Sequence, residues 1–358
     1  YGSSMRTYWK NAGVYDAKTH TYTFNEDITL KPKTSEQNLN YWTPLFGGIY
    51  VAGYNPVTID MQGHRLDVAM NMNPVAQGAV FNPGAISPNV LHVTSSSLTI
   101  NNVKGMELSA AGPGLATGHI TGIYLAGTNQ EGSYHDGKGL ASLTINNADG
   151  WENAIKFHSS QDQVENGIYV WKNSGSADLK ISGMVDMYVG NGSDVITVRG
   201  GDYTGDTQGA PTAYIGGGAF KTSTGRAANV VGGLLSVNSK LENGEIVASD
   251  ANRDVQIDGN IRVGDVGRDQ GTVTLGLNTA DSYFKGIMYT HYGEGDAHMM
   301  LQNGAQWTNS STSQGDYDYH GSSLKQFVGS EGKANTGYIF QKDNAALNLG
   351  NYSGYTTV

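Results

Sequence analysis

The hydrophobic positions along the chain follow a short recurrent pattern, in which two branched apolar residues flank one polar residue and Asn, Asp, Ser or Gly comes next. In an extended strand, residues two positions apart point to the same face, so the apolar pair faces one side and the polar residue faces the other. The pattern occurs at residues 57–60, 98–101, 143–146, 179–182, 255–258, 273–276 and 347–350. Each occurrence predicts a short β-strand with one buried face.

The spacing of these strands predicts a repetitive architecture. Most gaps between them approximate multiples of about 18 to 22 residues, which is typical of a solenoid. Turn signals such as Asn-Gly and Gly-Gly separate the strands, and no segment longer than about ten residues has helical periodicity with caps. Irregular turns between such short strands favour three parallel strands per coil over antiparallel hairpins. We expect about 15 coils in a body about 70 Å long.

The first part of the chain differs from the rest and predicts a cap. Seven of the eight prolines lie in the first third, and residues 1–50 contain the aromatic pairs Tyr8-Trp9 and Tyr41-Trp42. A solenoid needs a terminal segment that covers its first open edge. We therefore expect residues 1–50 to form an N-terminal cap and residues 51–358 to form the solenoid.

Composition and charge exclude several classes of protein. The chain has 50 Gly, but only 8 Pro and no three-residue glycine period, which excludes collagen, while 21 Tyr, 8 Phe and 5 Trp exclude a disordered linker. A net charge of −10 makes nucleic acid an unlikely partner, since acidic residues also interrupt the candidate basic stripe of Arg253, Arg262 and Arg268. No apolar run of about 18 residues is present, so no membrane insertion by this segment is expected. The absence of cysteine is compatible with a large bacterial surface protein.

Two segments of the later half carry a resemblance to a known family. Residues 301–309 read Leu-Gln-Asn-Gly-Ala-Gln-Trp-Thr-Asn, and residues 347–354 read Leu-Asn-Leu-Gly-Asn-Tyr-Ser-Gly. The first resembles a rung of bacterial autotransporter (type V secretion) passenger domains of the adhesin type, and the second resembles the Asn-Tyr-Ser-Gly segment that follows a rung in the same proteins. The resemblance covers residues 50–358 loosely.

This resemblance implies an all-β, right-handed parallel β-helix (solenoid), secreted through an outer-membrane barrel domain that this chain does not contain. It also implies an extracellular location on the bacterial cell surface and a role in adhesion, autoaggregation or biofilm formation. On this interpretation the chain is an N-terminal fragment of a longer passenger. The expected partners are host or neighbouring-cell surface glycans or matrix proteins, or further copies of the chain.

Catalytic chemistry has only weak support, so we expect no enzymatic activity. The protease members of the family would show a Gly-Asp-Ser-Gly-like loop, which the sequence around Ser193 lacks. The best paired carboxylates are Asp202 with Asp206 and Asp316 with Asp318, and a carboxylate pair is what a β-helix polysaccharide lyase or hydrolase would use. Asp beside Gly is also ordinary turn chemistry. A polysaccharide-degrading enzyme and a passive display stalk remain the alternatives.

No metal or cofactor is predicted. Residues 190–196 match most of a calcium-binding repeat, but that repeat binds calcium only between stacked copies and occurs once here. A second set of ligand types follows at His291, Glu294, Asp296 and His298, where nothing in the sequence fixes a coordination geometry. A polar loop between strands explains both segments.

The remaining signal is a group of aromatic, histidine and acidic residues between positions 283 and 320. Exposed tyrosine offers a large amphipathic contact area at low entropic cost, and solenoids use one face for binding. We therefore expect ligand contact on loops and outward faces there. The candidate binding residues are Tyr283, Tyr289, His291, Tyr292, Glu294, Asp296, His298, Tyr317, Tyr319 and His320.

Overall fold

The computed structural model shows an all-β protein. It describes residues 14–31, 47–52, 55–71, 89–111, 120–127, 139–159, 164–173, 175–190, 194–200, 209–265, 271–290, 295–312, 321–329, 333–334, 338–348 and 355–357. The described residues are predominantly in β-strands. Within these ranges there is no α-helix, and the only helical element is a single 3-10 turn at Trp151–Asn153. The predicted all-β class is confirmed.

The strands are short and numerous. They are β1 (Tyr15–Asp16), β2 (Thr21–Thr23), β3 (Ile28–Leu30), β4 (Gly47–Ala52), β5 (Val57–Asp60), β6 (Leu66–Asn71), β7 (Asn89–Thr94), β8 (Ser97–Val103), β9 (Met106–Ala111), β10 (Ile120–Gly127), β11 (Ala141–Asn147), β12 (Ile155–Ser159), β13 (Val164–Lys172), β14 (Ala177–Val189), β15 (Asp194–Arg199), β16 (Thr212–Val231), β17 (Gly233–Val237), β18 (Ser239–Glu242), β19 (Glu245–Ala248), β20 (Val255–Val263), β21 (Gly271–Leu277), β22 (Tyr283–Gly286), β23 (Met288–Thr290), β24 (Asp296–Leu301), β25 (Gln306–Asn309), β26 (Ser322–Val328), β27 (Lys333–Ala334), β28 (Tyr338–Asn348) and β29 (Tyr355–Thr357).

Successive strands stack in parallel in sets of three, which we call coils. β5, β6 and β7 pair in parallel with β2, β3 and β4, and β8, β9 and β10 continue on β5, β6 and β7. The later coils are β11–β13 (coil 4), β14–β15 (coil 5), β16 (coil 6), β17 with β20 (coil 7) and β21–β23 (coil 8). β24 is the first strand of coil 9, and residues 326–328 of β26 are the first strand of coil 10. The longest strands run through a corner and supply two or three sides of a coil. This long parallel sheet is consistent with a β-helix.

One row of residues has a single member in each coil and therefore gives the number of coils. It is formed by the first strand of each coil and consists of Thr21, Thr58, Thr99, Thr144, Lys180, Tyr214, Ser236, Thr274, His298, Gln326 and Ala346. We call it the first-strand row. Its eleven members correspond to a stack about 50 Å long at about 4.8 Å per coil.

The coil length differs from the expected 18 to 22 residues. It varies from 45 residues, between Thr99 and Thr144, to 20 residues, between Gln326 and Ala346. The recurrent pattern also occurs on more than one side of a coil: the unit at residues 98–101 lies in a first strand, whereas the unit at 255–258 lies in a second strand. The sequence spacing between two occurrences of the recurrent pattern therefore does not equal the length of one coil.

The core is a continuous column of inward apolar side chains, as the alternating pattern predicted. The second strands contribute Val68, Leu108, Phe157, Met187, Phe220, Ile257, Phe284 and Trp307, all buried and in register. Phe284 and Trp307 stack at 5.9 Å with an interplanar angle of 8°, and the Trp307 Nε1–H donates to the Gly286 carbonyl at 3.1 Å. Burial of side chains this large contributes roughly 1.5–3 kcal/mol each.

Polar corners allow the chain to turn between strands. Asn102, Asn238 and Asn303 have positive φ angles near 50° to 58°, a conformation that Asn tolerates better than most residues. Asn147 is buried at the same corner of coil 4, where its Oδ1 accepts from the Gly183 N–H at 2.9 Å. Backbone groups that the strands leave unpaired are thereby satisfied.

The described parts of residues 1–50 form the first coil of the stack. β2, β3 and β4 pair with the second coil, while β1 turns back antiparallel on β2. β1 thus occupies the edge of β2 opposite β5. The strand β4 crosses residue 50, where the predicted cap ends, and Trp9 and Trp42 lie outside the described residues.

An antiparallel hairpin interrupts coil 7. β18 and β19 pair with each other around the turn Asn243-Gly244 and cover the first strands of coils 7 to 9. Ser239 Oγ donates to Thr274 Oγ1 at 2.9 Å, and the Ile246 N–H donates to Gln326 Oε1 at 2.8 Å. The first-strand row is therefore accessible in its early coils and buried at Ser236, Thr274 and His298.

Candidate functional site

The cluster predicted between residues 283 and 320 lies only partly within the described residues. Six of its members lie outside them: His291, Tyr292, Glu294, Tyr317, Tyr319 and His320. The four described members belong to three different sides of the stack. Tyr283 is in a second strand, Tyr289 is in a third strand, and Asp296 and His298 are in the next first strand. The structure does not bring these four into one surface.

Tyr289 is part of a buried ionic network. Its side chain is 6% exposed, and its hydroxyl is a hydrogen-bond partner of the Arg226 guanidinium. Arg226 also donates to both carboxylate oxygens of Asp194, at 2.9 and 3.1 Å. Burial acts to lower the pKa of Arg226, but the hydrogen bonds and charges of Asp194 and Tyr289 outweigh burial and raise that pKa. Tyr289 therefore serves packing and charge pairing rather than an accessible outward surface.

Asp296 and His298 contact coil 10 and the hairpin. Asp296 forms an ion pair with Lys325 at 3.1 Å. His298 is 3% exposed, and burial lowers its pKa. Its Nδ1 is 3.0 Å from Gln326 Oε1, the same oxygen that accepts from the Ile246 N–H. Because that oxygen is an acceptor, Nδ1 carries the proton of a neutral imidazole.

The most continuous aromatic surface lies elsewhere, on the third strands. In register from coil 1 to coil 8, the outward residues are Tyr50, His92, Tyr124, Tyr169, Thr197, Asn229, Arg262 and Tyr289. We call this set the third-strand outer row. Its first four members are aromatic rings on four consecutive coils, and Trp171 lies two residues beyond Tyr169 on the same side. Those five rings are the aromatic row.

Each ring of the aromatic row contacts the next. The ring centroids are 4.9 Å apart for Tyr50 and His92, and 4.9 Å apart for His92 and Tyr124, both edge to face. Tyr124 and Tyr169 stack at 5.5 Å and 10°, and Tyr169 meets Trp171 edge to face at 6.1 Å. Tyr50 is 36% exposed and the other four are half-buried. Such geometries are favourable for aromatic pairs and hold the rings in fixed orientations.

Burial controls the charge of this surface. It lowers the pKa of His92 to about 4 and raises the pKa of Tyr50. At neutral pH both rings are therefore uncharged. A cation adjoins these rings: the Arg199 guanidinium lies 5.8 Å from the centre of the Trp171 ring.

Sequence reasoning missed the aromatic row because its members are far apart along the chain. A local signal exists nevertheless, in which an aromatic residue takes the polar place of the recurrent pattern. It occurs as Ile49-Tyr50-Val51, Leu91-His92-Val93, Ile123-Tyr124-Leu125 and Ile168-Tyr169-Val170. The flanking aliphatic residues are buried and the central ring points outward.

A second surface includes one predicted residue, Tyr283. Two ammonium groups lie near its ring, with Lys221 Nζ 5.6 Å and Lys285 Nζ 4.8 Å from the ring centroid. Gln256, one coil below Tyr283, accepts from Lys221 Nζ at 3.3 Å. We call Lys221, Gln256, Tyr283 and Lys285 the lysine–tyrosine patch.

Acid–base groups occur in coils 4 and 5, on the side of the stack that carries the lysine–tyrosine patch. His158 Nε2 is 2.8 Å from Asp186 Oδ1, and the rings of His158 and Tyr188 are 6.2 Å apart. The carboxylates singled out from the sequence, Asp202, Asp206, Asp316 and Asp318, lie outside the described residues. Within the described ranges, no group of three or more His, Cys, Asp or Glu side chains is arranged to hold a metal ion.

Comparison with known proteins assigns no relative. No protein family, curated protein or solved structure matches the chain. Among the described residues, no helix is long and apolar enough to cross a membrane.

Proposed function

We propose that the chain is an extracellular adhesin segment of the autotransporter passenger type, built as a right-handed parallel β-helix. It would bind glycans or matrix proteins on host or neighbouring cells, or further copies of itself, while a barrel domain outside this chain anchors it to the bacterial surface. The observation that carries the proposal is the aromatic row, five contacting rings that follow the stack axis on one side.

The geometry of the aromatic row suits an extended ligand. At about 4.8 Å per coil, rings on four consecutive coils span about 15 Å, the length of a short oligosaccharide. The rings offer apolar faces for stacking, and the tyrosine hydroxyls add hydrogen bonds at their outer ends. Fixed rings lose little entropy when a ligand binds, which favours binding by many weak contacts.

The charge of the row favours uncharged ligands. His92 is neutral at pH 7 because its pKa is about 4. Tyrosine is also neutral there. We therefore expect the row to prefer neutral sugars or apolar protein segments.

A binding experiment tests this proposal. The purified chain is applied to arrays of neutral glycans and matrix proteins, and bacteria that display the chain are tested for aggregation. We expect the double variant Tyr124→Ala, Tyr169→Ala to lose binding. The matched control is Tyr214→Ala, which removes a 40% exposed tyrosine from the first-strand row. Unchanged binding by a folded double variant would contradict the proposal.

The rival function is polysaccharide cleavage, which the contact between His158 and Asp186 favours because it pairs a base with a carboxylate. Release of reducing or unsaturated sugar ends from a polysaccharide, abolished by Asp186→Asn, would support the enzyme. A passive stalk would neither bind nor cleave any of these ligands.

A further inference from the structure

The lysine–tyrosine patch lies on a different side of the stack from the aromatic row. Lys221 belongs to the second strand of coil 6, Gln256 to that of coil 7, and Tyr283 and Lys285 to that of coil 8. We propose that this patch is a separate binding site for an acidic glycan, in which the lysines bind a carboxylate or sulfate and Tyr283 stacks on the sugar ring. The inference goes beyond the proposed function, because the patch can bind even if the aromatic row binds nothing.

The first support is the convergence of two like charges. Lys221 Nζ and Lys285 Nζ are 5.6 and 4.8 Å from one ring centroid, so the two ammonium groups are at most about 10 Å apart. Two cations at that separation repel each other weakly in water and both gain from an anion placed between them. The ring holds them near one another in the absence of such an anion.

The second support is that neither lysine forms an ion pair with an acidic side chain among the described residues. Asp258 is in register with both Lys221 and Lys285. Yet among the described residues neither lysine forms an ion pair within 4.0 Å, whereas Arg226, Arg253 and Arg262 all do. Lys221 donates to Gln256 instead, and Gln256 Nε2 donates to the Asp281 carbonyl at 3.2 Å. The amide is therefore fixed at both ends beside the ring.

The third support is the continuation of the same side toward earlier coils. Lys156 and His158 of coil 4 and Asp186 and Tyr188 of coil 5 occupy the same outward rows as the patch. The Asp186 carboxylate is used by His158, 2.8 Å away. His158 is exposed and Tyr188 is half-buried. From coil 4 to coil 8 these groups extend over about 20 Å, enough for several sugar units. A repeating acidic polysaccharide can therefore contact several cations and rings along one line.

Direct binding measurements test the site. Three probes are compared by calorimetry: a heparin oligosaccharide (sulfated), an oligogalacturonate (carboxylated) and a dextran oligosaccharide (neutral). We expect the wild-type chain to bind one or both acidic probes, more weakly as salt rises. We expect the double variant Lys221→Gln, Lys285→Gln to weaken that binding by about tenfold or more.

Matched variants make the outcome specific. Lys180→Gln removes one exposed lysine from the first-strand row and should leave acidic-glycan affinity unchanged. Tyr124→Ala, Tyr169→Ala should also leave it unchanged, although it removes the binding proposed for the aromatic row. Absence of acidic-glycan binding, equal binding by the double lysine variant, or an equal loss in Lys180→Gln would overturn the inference. None of these results would contradict the function proposed for the aromatic row.

Discussion

The third-strand outer row has the same backbone position in coils 1 to 8, but its two halves are chemically different. Coils 1 to 4 present Tyr50, His92, Tyr124 and Tyr169, whose rings contact one another and stay partly exposed. Coils 5 to 8 present Thr197, Asn229, Arg262 and Tyr289, and the polar groups of Thr197, Arg262 and Tyr289 are used within the protein. Thr197 donates to Asn166 at 2.6 Å, Arg262 pairs with Asp265 at 2.7 Å, and Tyr289 contacts Arg226.

This contrast distinguishes the inward residues, which the core of the stack requires to be apolar, from the outward residues, which can vary. The inward neighbours of the row are apolar in both halves, for example Val170 and Val230, because the core needs them. The outward positions are free of that requirement. In the later half, Thr197, Arg262 and Tyr289 stabilise the protein through internal hydrogen bonds and ion pairs. In the earlier half, the outward rings leave apolar area for a partner.

The largest effect should follow from breaking the ion pair in the later half. Asp194→Ala leaves the Arg226 guanidinium beneath Tyr289 without its carboxylate partner, and both side chains are mostly buried. Breaking such a pair leaves an uncompensated charge, so we expect a loss of about 3 kcal/mol in the free energy of unfolding. Urea denaturation followed by circular dichroism measures it.

An exposed pair supplies the control for Asp194→Ala. Lys240 and Glu242 pair at 2.9 Å at the hairpin, with both side chains about half exposed. Glu242→Ala should lower the free energy of unfolding far less than Asp194→Ala does, since exposed pairs contribute little. Equal effects of the two variants would show that the later half of the row is not specially stabilised by its ion pairs.

The second-largest effect is expected at Tyr169, and the adjacent coil supplies its comparison at Thr197. Tyr169→Ala removes a ring that contacts both Tyr124 and Trp171, so we expect a loss of about 2 kcal/mol together with loss of the proposed glycan binding. Thr197→Ala removes one buried hydrogen bond to Asn166, so we expect about 1 kcal/mol and unchanged binding. Thermal unfolding and glycan-array binding of both variants test the pair. A binding loss in Thr197→Ala alone would place the contact surface in the later half.

Much of the fold was predictable from the sequence because its signal is local. The apolar–polar–apolar unit predicts a strand and its buried side within four residues, and pairs such as Leu98 with Ile100 and Val273 with Leu275 are buried as expected. The coil length was not predictable from the same unit. It depends on how many residues each corner contains, and the sequence signal at residues 255–258 does not say which side of the coil it occupies.

The sites were less predictable because they depend on register. Tyr50, His92, Tyr124 and Tyr169 are separated by 32 to 45 residues and become neighbours only through strand pairing. The hairpin had a local signal in Asn243-Gly244, a dipeptide favoured in two-residue hairpin turns, with positive φ at both residues. Its docking over His298 depends on Gln326, 80 residues from Ile246, and no local pattern reports that contact.

A smaller effect should appear as pH falls, and it should belong to the earlier half. His92 is neutral in the folded protein down to about pH 4, whereas an unfolded histidine binds a proton below about pH 6.5. The unfolded state therefore binds more protons between these values, so stability falls as pH falls through that window. We expect a loss of about 1.8 kcal/mol between pH 7 and pH 5.

The variant His92→Gln isolates this effect. Glutamine does not titrate, so the variant should lose less stability than the wild type on moving from pH 7 to pH 5. Other groups, including His298 with its lowered pKa, contribute equally to both proteins and cancel in the difference. Thermal unfolding at both pH values gives the comparison, and identical slopes would mean that His92 is protonated to the same extent in both states.

The smallest effect should lie at the boundary between the halves. Arg199, on coil 5, is the residue in register with Trp171 on coil 4, and its guanidinium lies 5.8 Å from that ring. A contact of this kind contributes about 0.5 kcal/mol at a partly exposed site. Arg199→Gln should therefore change stability by about that amount, while Arg199→Lys, which keeps a cation, should change it less.

Trp171 would move more freely in Arg199→Gln, so affinity for a neutral glycan should fall slightly with no change at the lysine–tyrosine patch. Unchanged tryptophan fluorescence, stability and glycan affinity in Arg199→Gln would mean that Arg199 does not support Trp171. The aromatic row would then end at Tyr169.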